Sequence, residues 1–422
     1  MFLESFNDIP RPWRWEVASL AKKEIRTAID IGSATVRALV AEGRPDGSIQ
    51  IVGAGTSPSA GLRKGVVVDI EAVSAAIADA VARAENLCGC VVVSATMGIG
   101  GSHVASVASK GMTVIGSSDR EIRKGDVERA LQSSQSVPIA PDREIVQVIP
   151  REYVIDDCRG IRRPVGMSGV RLEVETQVIT GSSTAIQNVN RAAARANLNI
   201  DGMLLQSAAS AEAVLNDDER EHGVVMLDIG AATTDIAVYT DGGLLYAGIV
   251  PIGGGHITND IAYVLKTPLG YSEDLKFRYG AATAEGIADD ELCGNDMGIS
   301  RRKLCQIIEA RVNQLFEKVR EELYVAGVDE QLLGGAVITG GSARLKKIVE
   351  SASRGLDMPA RLGSASGIGG LQEIVSSPEY STAIGLAMHA WRQSAPVQGR
   401  SPSSSNGFLG AVFEWFRDVF SS

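Results

Sequence analysis

The chain has 422 residues, 45% hydrophobic and 22% charged, with 41 basic against 51 acidic side chains and a net charge of −10. That length suggests two or three domains, and the composition excludes general disorder. The negative balance argues against duplex nucleic-acid binding, which needs a positive field, and no apolar run of about 18 residues supports a transmembrane helix.

Residues 1–23 carry Pro10, Pro12, Trp13 and Trp15 but neither a basic start nor a long apolar stretch. They read as an extension rather than a secretory signal. Ile25–Val40, IRTAIDIGSATVRALV, reads as a strand, a tight glycine turn and a second strand. The five cysteines, Cys88, Cys90, Cys158, Cys293 and Cys305, are thinly spread, and Cys88 and Cys90 read as ordinary buried thiols. An odd count reads as reduced thiols, and four histidines are too few to complete a zinc set. Val91–Ala95 is expected to be a strand, and the two Gly-Ile-Gly-Gly stretches, 98–101 and 367–370, read as turns. Asp126–Ser134 reads as a helix, with strands at Glu144–Ile155 and Val170–Thr180. Arg159, Arg162 and Arg163 form a small basic patch between those strands.

Val224–Tyr239, VVMLDIGAATTDIAVY, repeats the first hairpin. Asp30-Ile-Gly-Ser-Ala-Thr35 and Asp228-Ile-Gly-Ala-Ala-Thr233 agree at five of six positions, 198 residues apart. Such a repeat suggests two similarly built domains. Pro251-Ile-Gly-Gly-Gly-His256 follows, with Gly253 and Gly254 in a turn that opens a helix and His256 in a structural role. Ser300-Arg-Arg-Lys303 opens another helix, expected to end within Leu315–Arg320. In Gly335–Glu350 a short strand, Ala336–Thr339, meets Gly340-Gly341. Ser342 then fits as the N-cap of a helix carrying Arg344, Lys346 and Lys347.

These three elements share one chemistry. Gly32 and Gly230 leave no side chain at the bend, so backbone can approach a phosphate closely. The backbone of Ala231 and Ala232 and the hydroxyls of Ser33, Thr35, Thr233 and Thr234 add donors. Asp30, Asp228 and Asp235 sit where a carboxylate can hold Mg²⁺, directly or through its waters; Asp30 and Asp228 are the candidate metal ligands. A strand, a diglycine and a basic turn offer N–H groups to an anion or a nucleotide edge. No G-x-x-x-x-G-K-[ST] is present, so this is not a P-loop protein.

The C-terminal end has two parts. Ser394–Gly407 is rich in Ser, Pro and Gly and reads as a flexible linker with a span of roughly 20 Å. In FLGAVFEWFRDVF, the residues Phe408, Leu409, Val412, Phe413, Trp415, Phe416, Val419 and Phe420 fall within about 160° of a helical wheel. A membrane-surface helix fits best; docking on the chain's own core or in a partner's groove are the other readings. Its polar side bears one Arg against one Glu and one Asp, so apolar insertion must dominate and single-copy affinity is expected to be modest.

The chain resembles the actin-like ATPase superfamily and, within it, the FtsA family of bacterial division proteins. The resemblance covers roughly residues 24–392. It is carried by the three elements above and by Gly61–Asp69, Val148–Tyr153, Pro164–Arg171, Asp217–Glu221, Asp260–Tyr263, Ile307–Arg311 and Tyr380–Leu386.

The resemblance implies an α/β, actin-like (ribonuclease H-like) fold of two domains with an ATP cleft between them. Domain one would take residues 24–90 and 179–222 with a returning helix at about 380–392, and an FtsA-type α/β subdomain would occupy 91–178. Domain two would take 223–266 and 330–379, with a smaller subdomain at 267–329. A linker at 393–407 and a membrane-targeting helix at 408–420 would follow. ATP and Mg²⁺ are the implied cofactors, with Gly253, Gly254, Arg302, Gly340, Gly341, Ser342 and Arg344 beside the hairpins.

Gln206, opening a small-residue helix, matches the family's water-orienting position; it also reads as a plain helix-start residue. At most a slow ATPase is expected. Arg301 and Lys303 are candidates for the acidic C-terminal peptide of FtsZ, against the plainer reading of solvated charges. Filament formation, contacts of the insert with later division proteins, and a place on the cytoplasmic face of the membrane at the septum complete what the resemblance implies. The alternatives are a sugar or carboxylate kinase of the same superfamily, or a pilus-assembly relative.

Overall fold

The computed structural model describes residues 24–44, 46–294 and 298–394. The expectations for the N-terminal extension, for the linker beyond residue 394 and for the amphipathic segment 408–420 therefore lie outside the described residues.

The first half opens with β1 (Ile25–Ile31), β2 (Thr35–Gly43), β3 (Ile49–Pro58), α1 (Ile70–Cys88) and β4 (Ser94–Ile99). An excursion follows through β5 (Ala105–Val114), α2 (Lys124–Ser134), β6 (Arg143–Ile155), β7 (Cys158–Ile161) and β8 (Arg171–Ser182). The chain returns with α3 (Ser183–Arg195), β9 (Asn199–Leu205) and α4 (Gln206–Val214). The second half runs β10 (Val224–Ile229), β11 (Thr234–Thr240), β12 (Gly243–Val250), α5 (Gly254–Leu265), α6 (Leu269–Tyr279) and α7 (Arg301–Ala326). It closes with β13 (Ala336–Thr339), α8 (Ile348–Leu356), β14 (Ala360–Leu362) and α9 (Ser381–Ser394).

The two halves have one topology. In the first sheet the order is β9-β4-β1-β2-β3, with Gly369–Gly370, read as a turn, pairing in parallel beyond β3, and in the second β14-β13-β10-β11-β12. Each begins as an antiparallel meander and then adds two parallel strands beside its first strand. The repeated hairpins agree in register as well as in residues: Asp30 pairs with Arg37 and Asp228 with Asp235. The same bond closes both turns, Gly32 N–H to Thr35 O at 3.0 Å and Gly230 N–H to Thr233 O at 2.9 Å.

The strands alternate between two cores. Ala28 and Leu39 face one side and Ile29 and Val40 the other. On the shared side, Ala28, Ile51 and Leu204 of the first sheet and Met226 and Val337 of the second pack on α4 and α9, through Ala209, Ala213, Ala383 and Leu386. These two helices form a common middle layer, and alanines keep it thin. The outer core of the second half is larger, centred on Phe316 and Ile308 of α7.

The excursion forms its own antiparallel sheet, β5-β8-β6-β7, with α2 packed on one face through Val127, Ala130 and Leu131. It touches the second half where Gln177 Nε2 donates to Leu245 O at 2.6 Å.

Several expectations change. The strand placed at Val91–Ala95 runs Ser94–Ile99 and belongs to the first sheet, so the chain leaves that sheet after Ile99 rather than at Val91. Val91 and Val93 are instead exposed. Helix α7 continues past Arg320 to Ala326, where Gly327 ends it at φ 66°. Helix α9 continues past 392 to Ser394. Cys88 and Cys90 are half-buried and joined to each other, not separate buried thiols; the left-handed Gly89 between them, φ 66°, turns the chain back. Cys158 is exposed, and Cys293 and Cys305 are buried.

The start of α1 is secured by Asp69, whose carboxylate accepts from Ala72 N–H at 3.1 Å. Asp69→Ala is expected to cost about 1 kcal/mol, read as a lower urea midpoint with unchanged slope.

Candidate functional site

A cavity of about 680 Å³ lies between the two sheets, and both hairpin turns open on it. Asp30, Gly32, Ser33 and Thr35 line one wall, and Asp228, Gly230, Ala231, Thr233 and Asp235 the other. Gly254, Gly340, Gly341, Ser342, Arg344 and Gln206 complete the predicted set that reaches it.

Four predicted residues do not line it. Ala232 lies outside the lining. Thr234 is buried, its hydroxyl donating to Ile252 O at 2.8 Å. Gly253 donates its N–H to His256 Nδ1 at 3.1 Å, which gives His256 the structural role expected of it. Arg302 points away, paired with Asp289 at 2.7 Å. The cleft cation on this side is Lys276 of α6, whose ammonium reaches Gly254 O at 3.0 Å and Thr258 Oγ1 at 2.9 Å.

Arg301 is also committed elsewhere: it pairs with Glu291 and donates to Tyr279 O at 3.0 Å, anchoring the start of α7. Lys303 lines a second groove, between α5 and α7, with Tyr263, Ile307 and Arg311.

Ser342 is not an N-cap. Gly341–Arg344 is a single 3₁₀ turn, Lys347 is left-handed at φ 62°, and the helix begins only at Ile348. The Ser342 hydroxyl instead donates to Gly230 O at 3.0 Å, which ties the diglycine element to the second hairpin. Gly340 is required there. At φ 89°, a Cβ on it would lie 2.3 Å from Asp228 Oδ1.

The carboxylates are held from both middle-layer helices. Asp30 Oδ1 accepts from Gln206 Nε2 at 2.8 Å. Asp228 Oδ2 accepts from Ser210 Oγ at 2.6 Å and from Thr382 Oγ1 at 2.9 Å. Burial pushes the Asp30 carboxyl up to about 6, against the pull of Arg37, and raises Asp228 as well. Asp235 is pushed up to about 8, by burial first and then by Asp228 and Asp30.

Sequence reasoning missed other lining residues. Arg37 holds the place in the first hairpin that Asp235 holds in the second. It lies 3.7 Å from Asp30, 3.6 Å from Glu379 and over the Tyr380 ring, with its buried Nε lacking a hydrogen-bond partner. Gly98 and Gly100, taken for turn residues, let backbone meet Gln206; a Cβ on Gly100 would lie 2.0 Å from Gln206 Oε1. Gly98 inside the strand and Gly100 just past its end were the available signal. Phe277 packs under Arg344, whose guanidinium also pairs with Glu379 at 3.0 Å.

The arrangement suits a phosphate chain with a divalent cation. Hydroxyls and glycine backbone face the cavity, cations come from both halves (Arg37 from the first, Lys276 and Arg344 from the second), and three enclosed carboxylates repel one another. Such a donor set would favour Mg²⁺, with Asp30 and Asp228 the carboxylates that would hold it.

Comparison with known proteins follows the same lines. The family described as "Cell division protein FtsA" matches residues 225–385, and "SHS2 domain inserted in FTSA" matches residues 101–180. Cell division protein FtsA of Pseudomonas aeruginosa is 39% identical over 397 residues, 92% of this chain and 95% of that one. The chain belongs to the FtsA family of cell division proteins. Its relative from Escherichia coli K12 is 34% identical over 417 residues, 94% of this chain and 99% of that protein. The SHS2 match begins after β4, in keeping with that strand's place in the first sheet.

Among solved structures, a PilM–PilN type IV pilus biogenesis complex aligns with a TM-score of 0.64 at 15% identity, over 87% of this chain and 98% of that one. MreB5 of Spiroplasma citri bound to AMPPNP aligns at 0.50 and 12%, over 86% and 95%. The fold of this FtsA-family chain is therefore actin-like, α/β, with an inserted FtsA-type subdomain.

Proposed function

We propose that this FtsA-family chain binds ATP with Mg²⁺ in the cleft and links FtsZ to the cytoplasmic face of the inner membrane at the septum. Self-association into filaments and recruitment of later division proteins through the insert belong to the same reading. The observation that carries it is the pair of hairpins in one register, which set Asp30 and Asp228 on opposite walls of a single cavity. The phosphates would lie between the turns, with Ser33, Thr35 and Thr233 as donors. The base would lie toward Phe277 and Arg344. Asp30 and Asp228 would hold Mg²⁺ through its waters. When bound, that cation neutralises charge on the phosphates. Arg37 would face the phosphates from the first hairpin.

The groove containing Lys303 is the place proposed for the acidic FtsZ peptide, with Tyr263 and Ile307 supplying apolar contact. The segment 408–420 would insert its aromatic face at the headgroup boundary. Family membership favours this reading over the kinase and pilus-assembly alternatives.

One experiment tests both halves of the reading. Full-length protein is titrated with ATP, with and without Mg²⁺, and then pelleted with lipid vesicles in the presence of an FtsZ-type C-terminal peptide. Magnesium-dependent ATP binding and co-pelleting of peptide are expected, with pelleting lost in a chain lacking residues 407–422. Pelleting that survives this deletion would remove the anchor, and ATP affinity indifferent to Asp228→Ala would remove the cleft.

Gln206 would orient the attacking water. Gln206→Ala is expected to slow phosphate release by about tenfold, about 1.4 kcal/mol, while ATP affinity changes by less than about threefold. Unchanged release would leave Gln206 only its bond to Asp30.

A further inference from the structure

We propose that Cys88-Gly89-Cys90 is a reversible thiol–disulfide site, a target for small disulfides of the glutathione class. The two cysteines end α1 and lead into β4, and they are joined with their Cα atoms 5.4 Å apart. Gly89 is the reason they can meet. It caps the helix in the left-handed conformation, its N–H bonded to Glu85 O at 2.8 Å, and open space surrounds the position a Cβ would take. That cap bond uses backbone alone, so the end of α1 does not depend on the sulfurs being joined, whereas the stretch after Cys90 does.

A bond between residues two apart closes a very small loop. It removes little entropy from the unfolded chain, and stabilisation does not account for it. Accessibility does suit exchange. Both cysteines are half-buried at the surface, whereas Cys293 and Cys305 are buried in the second half. Around them Leu87, Val91 and Val93 are 55%, 75% and 64% exposed, so an approaching reagent meets few obstacles.

The site is a substrate for exchange and not itself a catalyst. Cys88 lies at the C-terminal end of α1, where the helix dipole disfavours a thiolate. The Glu85 carboxylate, which accepts from Val92 N–H at 2.7 Å, adds negative charge nearby. Reactive cysteines sit in the opposite surroundings.

The exchange balances with one glutathione disulfide. Cys88 loses its proton and attacks one glutathione sulfur; a Cys88–glutathione bond forms and the first glutathione leaves as thiolate. Cys90 loses its proton and attacks Cys88 Sγ; the protein disulfide forms and the second glutathione leaves. The two protons end on the two released glutathiones. The protein is oxidised by two electrons and the glutathione disulfide reduced by two.

The redox state would be felt in β4, because the joined corner fixes the start of the strand whose far end carries Gly98 and Gly100 against Gln206.

The test equilibrates the full chain with mixtures of reduced and oxidised glutathione. Free thiols are then alkylated and the peptide holding residues 88 and 90 is weighed. Both alkylations are expected to disappear together, with half-conversion inside the range of mixtures, and amide exchange at residues 89–94 to slow several-fold on oxidation. Cys90→Ser should carry at most a mixed disulfide at Cys88 and show no slowing. Two alkylated thiols in the most oxidising mixture would overturn the site. A disulfide intact in the most reducing mixture would make it a permanent staple and overturn its reversibility. Unchanged exchange on oxidation would overturn the link to β4.

Discussion

Replacing Gly385 by alanine is expected to destabilise the chain by about 2–3 kcal/mol, although the same change inside a helix ordinarily stabilises by about 1 kcal/mol. Gly385 lies in α9, buried against α4. A Cβ there would sit 1.7 Å from the carbonyl oxygen of Ala209 and 2.4 Å from its carbon. The obstacle is backbone, so no rotamer change relieves it and the helices must separate. That separation reaches the cleft. The hydroxyls of Ser210 of α4 and Thr382 of α9 lie 2.8 Å apart, and both reach Asp228 Oδ2. A wedge between the helices loosens the grip of the middle layer on the second hairpin. A fall in melting temperature of roughly 3–4 °C is expected, with a larger loss of nucleotide protection. A rise in melting temperature, as helix propensity alone dictates, would mean the crossing is looser than the contact implies.

How much could be read beforehand depended on how local the cause was. The hairpins were legible as strand, turn and strand, because turn geometry is set by Gly32 and Gly230 and the residues beside them; their shared register came from the structure. The topology followed from the repeat. The diglycine element was half legible. Its strand is where expected, but Ser342 looked like a helix cap, since a serine after two glycines usually is one. Its real partner, Gly230 O, is 112 residues away, and no local pattern announces it. Arg302 and Lys276 illustrate the same limit. Both are cations on polar helices, and only the packing of α6 and α7 decides which one faces the cavity.

Val91–Ala95 failed for a different reason. An apolar run reads as a buried strand, yet Val91 and Val93 are exposed and the strand starts three residues later. The bond between Cys88 and Cys90 closes the corner at the end of α1, just before that stretch. A cysteine count alone could not reveal it, because an odd total pointed to free thiols throughout.

Asp235→Asn is expected to leave stability unchanged at pH 4 and to raise it by on the order of 2 kcal/mol at pH 8, in the absence of nucleotide. The sign follows from the two titrations. In the folded chain the Asp235 carboxyl is pushed up to about 8 from an ordinary 3.8, by burial and then by Asp228 and Asp30. Between those values the folded chain holds a proton that the unfolded chain has released. Stability is therefore full below about pH 4 and is lost as pH rises through 8. Asp30 acts in the same direction up to about pH 6. Asparagine is neutral throughout, so the variant keeps at pH 8 what the parent has lost. Asp235 also opens on cleft water, which holds the effect below the full value of the pKa separation. Urea melts at the two pH values read the difference directly, and curves that coincide at both would show that the carboxyl is not enclosed. A divalent cation beside them reverses the balance, because positive charge favours the ionised carboxylates. Binding of Mg²⁺ and nucleotide near pH 7 should then release protons from the parent and fewer from the variant, measured calorimetrically in buffers of different ionisation heat. Equal proton release from both would place the cation away from these three carboxylates, even if ATP still bound between the hairpins.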